Sequence, residues 1–282
     1  MIPPYPMFEN IQIEELIERL TRTTDEREAM AERASNDTPF VSGKALWMAA
    51  RFAGHFRDTG CIKIQDNLVV VQDVNASHVA MYNLTLGSHE PLVLENQMQS
   101  SVQNRLMKDF VSKHKKHSKK HTDVVEIDEK LERLLIHDGS GEYTELSLTP
   151  TSQHAPKLPC LDLETVLENV DLNEFRTALK AVKFITEIST FHYEPNNEDL
   201  VLTAKGINDN ITAKVSVVPT DVGAKAQYAT DFLKPIQWLN KETQLNISYS
   251  NNMPLRIDFK GEEAGTIYSG FIFLAPRVDQ DY

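Results

Sequence analysis

The chain has 282 residues, of which 41% are hydrophobic and 8% aromatic, and its formal net charge is −12. This length is sufficient for two domains of ordinary size, and the composition argues against disorder. No apolar run approaches the roughly 20 residues of a membrane span, and the N-terminus lacks the basic-then-apolar layout of a signal peptide. We therefore expect an intracellular protein with no membrane partner.

The N-terminal residues 1–36 stand apart from the rest of the chain and are predicted to form a helical extension. Ile13, Leu16, Ile17 and Leu20 follow helical spacing, and a capping-box pattern near residue 23 opens a second short helix. Two roles remain open for this extension, an arm that binds a partner or a segment that packs on its own protein.

From residue 38 onward the sequence predicts one pattern four times, a helix followed by about three strands. In the first half, a short leading strand in PFVSG precedes the helix KALWMAARFAGHF and the strands CIKI, NLVVVQDV and HVAMYNLTL. The second helix is predicted in MQSSVQNRLMKDFVSKHKKHSKKH, followed by the strands VVEI, LERLLIHD and YTELSLTP.

The second half repeats this order. The helix DLNEFRTALKAVKFI precedes TFHYEP, DLVLTAKG and ITAKVSVV, and the helix YATDFLKPIQWLNK precedes LNISYS and a final hairpin of MPLRIDF with IYSGFIFLAP. NLVVVQDVNASHVAMYNL aligns with DLVLTAKGINDNITAKVSV, and YTELSLTP aligns with IYSGFIFLAP. Such an internal repeat predicts an α+β fold of two similar domains, each with two helices on one face of antiparallel sheets. We place the domains at residues 37–150 and 165–282, with a connecting loop at 151–164.

Basic residues fall on one face of each predicted helix, at same-face spacings. The stripes consist of Lys44, Arg51 and His55; Arg105, Lys108, Lys115 and Lys119; Arg176, Lys180 and Lys183; and Lys234 and Lys241. One stripe alone is typical of a solvated helix face, but four in an acidic chain predict a single cationic surface. Such a surface neutralises phosphates without reading bases, so we predict sequence-independent binding of duplex DNA.

The densest cationic run is KHKKHSKKH, residues 113–121, which includes Lys116. We favour phosphate contact for it, while a plain helix end and a nuclear-import-like cluster remain alternatives. Its histidines have no carboxylate or cysteine at ligand spacing, and the two cysteines, Cys61 and Cys160, fit no metal or redox spacing. We therefore expect no metal and no cofactor.

Two local features concern individual helices. Asp171 followed by Glu174 predicts an N-cap and a first-turn carboxylate for the third helix. Pro235 predicts a kink in the fourth helix because proline removes a backbone hydrogen bond.

The sequence carries no Gly-rich phosphate loop and no nucleophile elbow, so we expect no catalysis. The tightest acid cluster, Asp123, Glu126 and Asp128, is typical of a solvated strand end. A hydrolase with an unrecognised site is the alternative from another functional class.

Three motifs together resemble the DNA sliding clamps of the proliferating cell nuclear antigen (PCNA) family. Residues 67–86, NLVVVQDVNASHVAMYNLTL, are similar to the family's first-domain "MDSSHV" strand pair. MPLRIDF with FLAPRVD is similar to its C-terminal hairpin and "LAP" ending, and DLNEFRTALKAVKF is similar to its second-domain helix. The resemblance covers the chain from about residue 38 to the end and is schematic between residues 98 and 141.

The resemblance implies a ring of three subunits with the helices lining a central hole and the sheets outside. Such a ring is a processivity factor that encircles DNA and tethers DNA polymerase and other replication or repair enzymes through clamp-binding peptides, with a clamp loader as a further partner. It would work at DNA, in the nucleus of a eukaryote or in the cytoplasm for an archaeal or viral protein. A homotrimer is expected, and a subunit of a heterotrimeric replicative or checkpoint clamp is the alternative.

The resemblance also implies site residues. The strand near Leu131–Asp138 of one subunit would pair with residues 210–218 of the next, through Leu134, Ile136, Ile211, Ala213 and Val215. A partner-peptide pocket would use His78, Val79, Met81, Leu158, Pro159, Leu161, Pro254, Phe273, Ala275 and Pro276. The sequence departs from the family at three of the matched positions, where Val74 replaces a methionine, Asn75 an aspartate and Phe273 a tyrosine.

Overall fold

The computed structural model describes residues 40–65, 68–87, 98–103, 124–128, 133–137, 143–147, 149–150, 159, 161–263 and 265–277. For residues 40–43, 59, 65, 98–103, 124–128, 133–137, 143–145 and 149–150 the description is limited to the backbone. The predicted N-terminal extension lies outside the described residues.

In the first half, the described elements are β1 Phe40–Ser42, α1 Gly43–Ala53, β2 Thr59–Gln65, β3 Leu68–Val74, β4 Ala80–Gly87, β5 Met98–Gln103, β6 Val124–Asp128, β7 Arg133–His137, β8 Tyr143–Ser147 and β9 Thr149–Pro150. In the second half they are β10 Thr165–Leu167, α2 Leu172–Lys183, β11 Ile188–Tyr193, β12 Asp199–Lys205, β13 Asn210–Ser216, β14 Ala224–Ala229, a 3-10 helix Thr230–Trp238, β15 Gln244–Tyr249, β16 Leu255–Glu263 and β17 Thr266–Leu274.

The strands form three antiparallel sheets. A four-stranded sheet has the order β1-β6-β7-β8, a nine-stranded central sheet has the order β10-β15-β16-β17-β4-β3-β2-β5-β9, and a second four-stranded sheet has the order β13-β12-β11-β14. The central sheet connects the two halves of the chain because β17 pairs with β4 along eight residue pairs, from Ile267 with Gly87 to Leu274 with Ala80.

The sheet orders show the internal repeat directly. The order β1-β6-β7-β8 in the first half matches β10-β15-β16-β17 in the second, and β4-β3-β2-β5 matches β13-β12-β11-β14. The repeat extends to the segments that follow β8 and β17: Thr149 and Pro150 pair with β5, and Arg277 forms a bridge to Gln227 of β14. The predicted fold of two similar α+β units is therefore confirmed.

Alternation along the strands explains the layers. In β4, every second side chain from Ala80 to Leu86 is buried against the helix-covered core while its neighbours are half-exposed, as expected for a sheet with one packed face. The core under α1 is aromatic, with Phe56 stacked on Tyr82 at 4.3 Å between ring centroids and Phe52 packed on Phe259 at 5.7 Å. Such pairs add about 0.5–1.5 kcal/mol each beyond their buried area.

The second core lies under α2 and is built in the same way. Phe175 of α2 meets Phe191 of β11, which meets Tyr228 of β14, each edge to face. The side chain of Asp171 accepts hydrogen bonds from the backbone N–H groups of Asn173 and Glu174. This confirms the predicted N-cap of the helix.

Three sequence predictions are corrected. The segment Met98–Gln103 was predicted as the start of the second helix but is strand β5, paired with β2; the rest of that predicted helix lies outside the described residues. The fourth helix is a 3-10 helix that begins at Thr230, because residues 224–229 form β14, which the sequence did not predict. Pro235 is accommodated in this 3-10 helix and is buried there.

The final hairpin is confirmed and is longer than predicted. Lys260–Glu263, expected to be a connection, continues β16 and pairs with β17 as far as Thr266. None of the helices in the described ranges is long and apolar enough to cross a membrane.

Candidate functional site

The predicted DNA-facing cations of α1 contact the other half of the chain. The guanidinium of Arg51 lies 4.9 Å from the ring centroid of Trp47 and 4.2 Å from that of Trp238. Lys44 donates to Glu263 of β16 at 2.6 Å. Each cation–π contact is worth about 0.5–2 kcal/mol, so Arg51 connects the two halves.

His55 also belongs to the contact between the two halves of the chain, which is called the seam below. Its Nε2 lies 3.1 Å from the backbone oxygen of Asp231, and its ring packs edge-on against Phe56 and Trp238. Burial lowers the pKa of His55 below the ordinary histidine value, with smaller opposing and reinforcing effects from Asp231 and Lys234. A histidine held in this way packs as a neutral ring and does not add to a cationic stripe.

The cations of α2 and of the 3-10 helix converge on one carboxylate. Asp231 forms ion pairs with Lys183 at 2.6 Å and with Lys234 at 2.8 Å. Burial alone would raise the pKa of Asp231, but the hydrogen bonds from both lysines outweigh it and hold the pKa below its usual value. Arg176 donates to the backbone oxygens of Ile236 and Leu239, which satisfies the C-terminal carbonyls of the 3-10 helix.

Most of the predicted DNA-contacting cations that the structure describes therefore have partners within the chain. Lys44, Lys183 and Lys234 are ion-paired, Arg51 is stacked and Arg176 is hydrogen-bonded. Lys180 and Lys241 are exposed, and within residues 161–263 the structure records no ion pair for either. Arg105, Lys108, Lys115, Lys116 and Lys119 lie outside the described residues.

The predicted partner pocket begins at the turn between β3 and β4. The buried side chain of Asn75 organises this turn: its Oδ1 accepts from the N–H groups of Val79 and Ala80, and its Nδ2 donates to Ser77. His78 adopts the left-handed backbone conformation, with φ of 56°, and its side chain is exposed. The change from the family's aspartate to Asn75 is therefore compatible with a well-ordered turn.

The C-terminal segment joins this turn. The backbone N–H of Ala275 donates to the oxygen of Val79, and Phe273 of β17 pairs with Met81 of β4. Val79, Met81, Ala275 and Pro276 are all half-exposed. The structure thus brings these predicted pocket residues together at one end of the central sheet.

Phe273 differs from the expected pocket wall because it is almost fully buried. Its ring packs on Phe271 at 5.2 Å and lies 5.3 Å from the guanidinium of Arg256, which also forms two hydrogen bonds to Asp258. With no hydroxyl, Phe273 makes only apolar and cation–π contacts here. Its side chain is therefore packed within the protein and contributes little to the surface of the predicted pocket.

The structure describes only some of the remaining predicted pocket residues. Pro254 is half-exposed beside Met253, whose carbonyl accepts a hydrogen bond from the Tyr228 hydroxyl. Pro159 is exposed and Leu161 is half-exposed on the segment that leads into β10. Leu158 lies outside the described residues, so the linker side of the pocket stays a prediction.

The predicted subunit interface needs a correction in its first strand. β7, which carries Leu134 and Ile136, pairs with β6 on one side and with β8 on the other. A strand paired on both sides cannot pair with another subunit. The edge strands of this sheet are β1 and β8, and β8 is the one next to β7.

β13 is an edge strand of its sheet, and its contact with another subunit stays a prediction. Its residues Ile211 and Ala213 are half-buried against the core, whereas Val215 is fully buried. A shallow groove separates β13 from α2; it is lined by Asn173, Glu174, Thr177, Ala178, Ala181, Ala213 and Lys214.

Sequence reasoning missed several residues of the seam and the pocket. Asp231 precedes Lys234 by three residues, a spacing that predicts an ion pair on a helix, and this signal was available. Trp47 lies three residues from Lys44 and four from Arg51 on α1, a spacing that also predicts contact. Trp238 and Glu263 reach these cations only through the tertiary fold. Arg256 alternates with Asp258 on β16, and this spacing places both on one face of the strand.

Comparisons with known proteins agree with this architecture. The DNA polymerase sliding clamp of Pyrococcus abyssi is 22% identical over 170 residues, 53% of this chain and 66% of that protein, and the Pyrococcus horikoshii clamp is 20% identical over 166 residues, 52% and 65%. The chain thus matches slightly less than two thirds of the length of these clamps. No protein-family model matches the chain.

Solved structures cover more of the chain. A structure of the C-terminal region of FEN-1 bound to A. fulgidus PCNA has a TM-score of 0.72 at 20% identity, covering 86% of this chain and 99% of that one. PCNA from Thermococcus kodakaraensis has a TM-score of 0.69 at 15% identity, with 85% and 99% covered, and PCNA from Entamoeba histolytica has 0.68 at 16%, with 86% and 98% covered.

These findings define the class of protein by its fold. Two repeated α+β units joined through one continuous sheet are the sliding-clamp fold. The protein is similar in sequence and in fold to the PCNA-family sliding clamps, which are scaffold proteins and not enzymes.

Proposed function

We propose that this chain is a DNA sliding clamp, a closed homotrimeric ring that encircles duplex DNA and acts as a processivity factor for replication and repair enzymes. The proposal is supported above all by the repeat in the sheets. Within the chain, the strand group β10-β15-β16-β17 continues into the strand group β4-β3-β2-β5 because β17 pairs with β4. The repeat makes β8 the counterpart of β17 and β13 the counterpart of β4, and both are edge strands.

An exposed strand edge with unpaired backbone groups is a ready pairing partner. If β8 of one copy pairs with β13 of the next as β17 pairs with β4, every subunit boundary repeats the geometry of the boundary inside the chain. A head-to-tail contact of this kind forms a ring when its rotation closes. With two units in each chain, three chains give six similar units around the hole.

In such a ring the helices face the hole and the DNA. The exposed Lys180 and Lys241, and the predicted basic residues outside the described ranges, would contact phosphates. Because several other cations are occupied by Asp231, Glu263 and the two tryptophans, retention on DNA would depend on topological closure more than on contact strength. A clamp loader that opens the ring follows as a partner, and the working place is intracellular, at DNA.

The ring is tested by the solution mass of the full chain and by its retention on DNA. Light scattering is expected to give three times the 32.0 kDa chain mass with no other protein present, whereas a heterotrimer subunit would not reach that mass alone. Once loaded, the ring is expected to remain on closed circular duplex and to leave the same duplex after linearisation. A monomer at micromolar concentration, or equal loss from both DNA forms, contradicts the proposal.

The end of the central sheet around Val79, Met81 and Pro276 would hold the tethering peptide. In the similar A. fulgidus protein, the bound segment is the C-terminal region of FEN-1. Peptides of that kind, with apolar and aromatic anchors, are the ligands we propose here, since anchors that fill a pocket dominate interface energies.

Replacing Val79 with aspartate is expected to weaken peptide binding at least tenfold, because a charge faces the apolar anchor and roughly 1.5–3 kcal/mol of apolar burial is lost. The backbone bonds of Val79 to Asn75 and Ala275 do not need its side chain, so the fold should persist. Fluorescence anisotropy with a labelled clamp-binding peptide measures the effect. Val218→Asp, at a site 62% exposed, is the control, and equal affinity in both variants would place the pocket elsewhere.

A further inference from the structure

Two exposed apolar residues, Phe184 and Ile207, here called the domain-2 apolar patch, lie where α2 ends. Phe184 is 86% exposed and Ile207 is fully exposed at the tip of the turn between β12 and β13. Their chain neighbours are in contact, because a Cβ atom on Gly206 would come 3.0 Å from Cγ2 of Ile185, so both residues lie at the same end of the second domain. Large apolar groups clustered on a surface indicate a binding site.

The repeat relates this patch to the partner pocket. The β12–β13 turn that carries Ile207 is the counterpart of the β3–β4 turn that carries His78 and Val79. In the central sheet, the segment entering β10 reaches the same end as the β3–β4 turn. This follows from the strand register, in which Thr165 pairs with Tyr249, Leu255 with Leu274, and Leu274 with Ala80.

The same relation can be applied across a subunit boundary. β1 is the counterpart of β10, so the residues that precede β1 are the counterpart of the connecting loop. Across a β8–β13 boundary, the start of β1 lies at the same sheet end as the β12–β13 turn of the next copy. Four strand spacings separate them, roughly 19 Å, and residues 21–39 before β1 are ample to span that distance.

The chain preceding β1 carries a suitable ligand for an apolar patch. Ile13, Leu16, Ile17 and Leu20 repeat at helical spacing, and the charged residues Glu14, Glu15, Glu18 and Arg19 fill the positions between them. An amphipathic helix of this kind buries its apolar stripe against a surface of matching character.

We propose that residues Ile13–Leu20 dock on the domain-2 apolar patch of the adjacent copy, so that each N-terminal extension crosses a subunit boundary and strengthens it. The inference rests on the proposed ring. It assigns the extension the place in the first domain that the connecting loop has in the second, and it assigns Phe184 and Ile207 as its receptor.

The test is cysteine cross-linking in the full-length protein. A Leu16→Cys, Ile207→Cys double variant under mild oxidation is expected to give covalent dimers and trimers on a non-reducing denaturing gel. Each single variant, and the wild type with its native cysteines, should give none. The matched control is Leu16→Cys with Val218→Cys, another exposed apolar site, beyond the opposite end of β13. An excess of free peptide spanning residues 9–22 should suppress the cross-link.

Light scattering of the same samples separates the possible failures. A trimer without the Leu16–Ile207 link, or with equal linking to Val218, overturns the docking proposal and leaves the ring intact. A link formed within one chain, seen as a faster-migrating monomer, overturns docking across the boundary. A monomeric protein overturns both proposals.

Discussion

Replacing Ala181 with arginine is expected to reduce the solution mass of the protein from three chains to one. Ala181 is half-exposed in the groove between α2 and β13, the surface that a neighbouring β8 would cover. Closing the ring would bury the new charge without a partner, at a cost of about 3 kcal/mol per interface, or roughly a hundredfold in the dissociation constant.

The fold of the single chain should tolerate this change. Arginine is a good helix former, and the buried side of α2 is formed by other residues, among them Phe175, Leu179 and Val182. Val166→Arg also introduces one arginine, at a 39% exposed site on β10, and is expected to keep the trimer. Light scattering between nanomolar and micromolar concentration measures both variants, and an unchanged trimer in Ala181→Arg would refute the β8–β13 boundary.

The sequence predicted the fold well where strands alternate and caps are local. β3 and β4 follow the expected hydrophobic runs, and Asp171 caps α2 as its position before Glu174 predicts. Periodicity failed at β5, where MQSSVQ contains too few apolar residues to separate strand from helix. Pairing to β2 and β9 decides the conformation of that segment, and pairing is a long-range property.

The cationic surface was likewise predictable from the sequence only in part. The stripes of lysine and arginine are visible in the sequence, but their partners come from elements far along the chain. Lys44 and Glu263 are 219 residues apart, and Arg51 meets Trp238 only because β17 pairs with β4. Helical spacing predicts which face a cation occupies, whereas tertiary packing decides whether its charge remains available to a ligand.

We therefore expect the exposed Lys180 to contribute more to DNA binding than the cations that are paired within the chain. Lys180→Gln removes one exposed cation per subunit and three per ring. If each contacts a phosphate, the slope of the logarithm of the binding constant against the logarithm of salt concentration becomes shallower by about 2.7. The measurement is equilibrium binding of the protein to linear duplex DNA, followed by fluorescence anisotropy across a salt titration.

Lys225→Gln is the matched control for Lys180→Gln. Lys225 is also exposed, but it lies on β14 between the buried Ala224 and Ala226 and therefore points away from the helix-covered face of its sheet. Its substitution should leave the salt slope unchanged while altering the net charge equally. Equal slopes for the two variants would mean that total charge, and not the helix-lined face, governs DNA binding. A difference confined to Lys180→Gln would assign that face to the DNA.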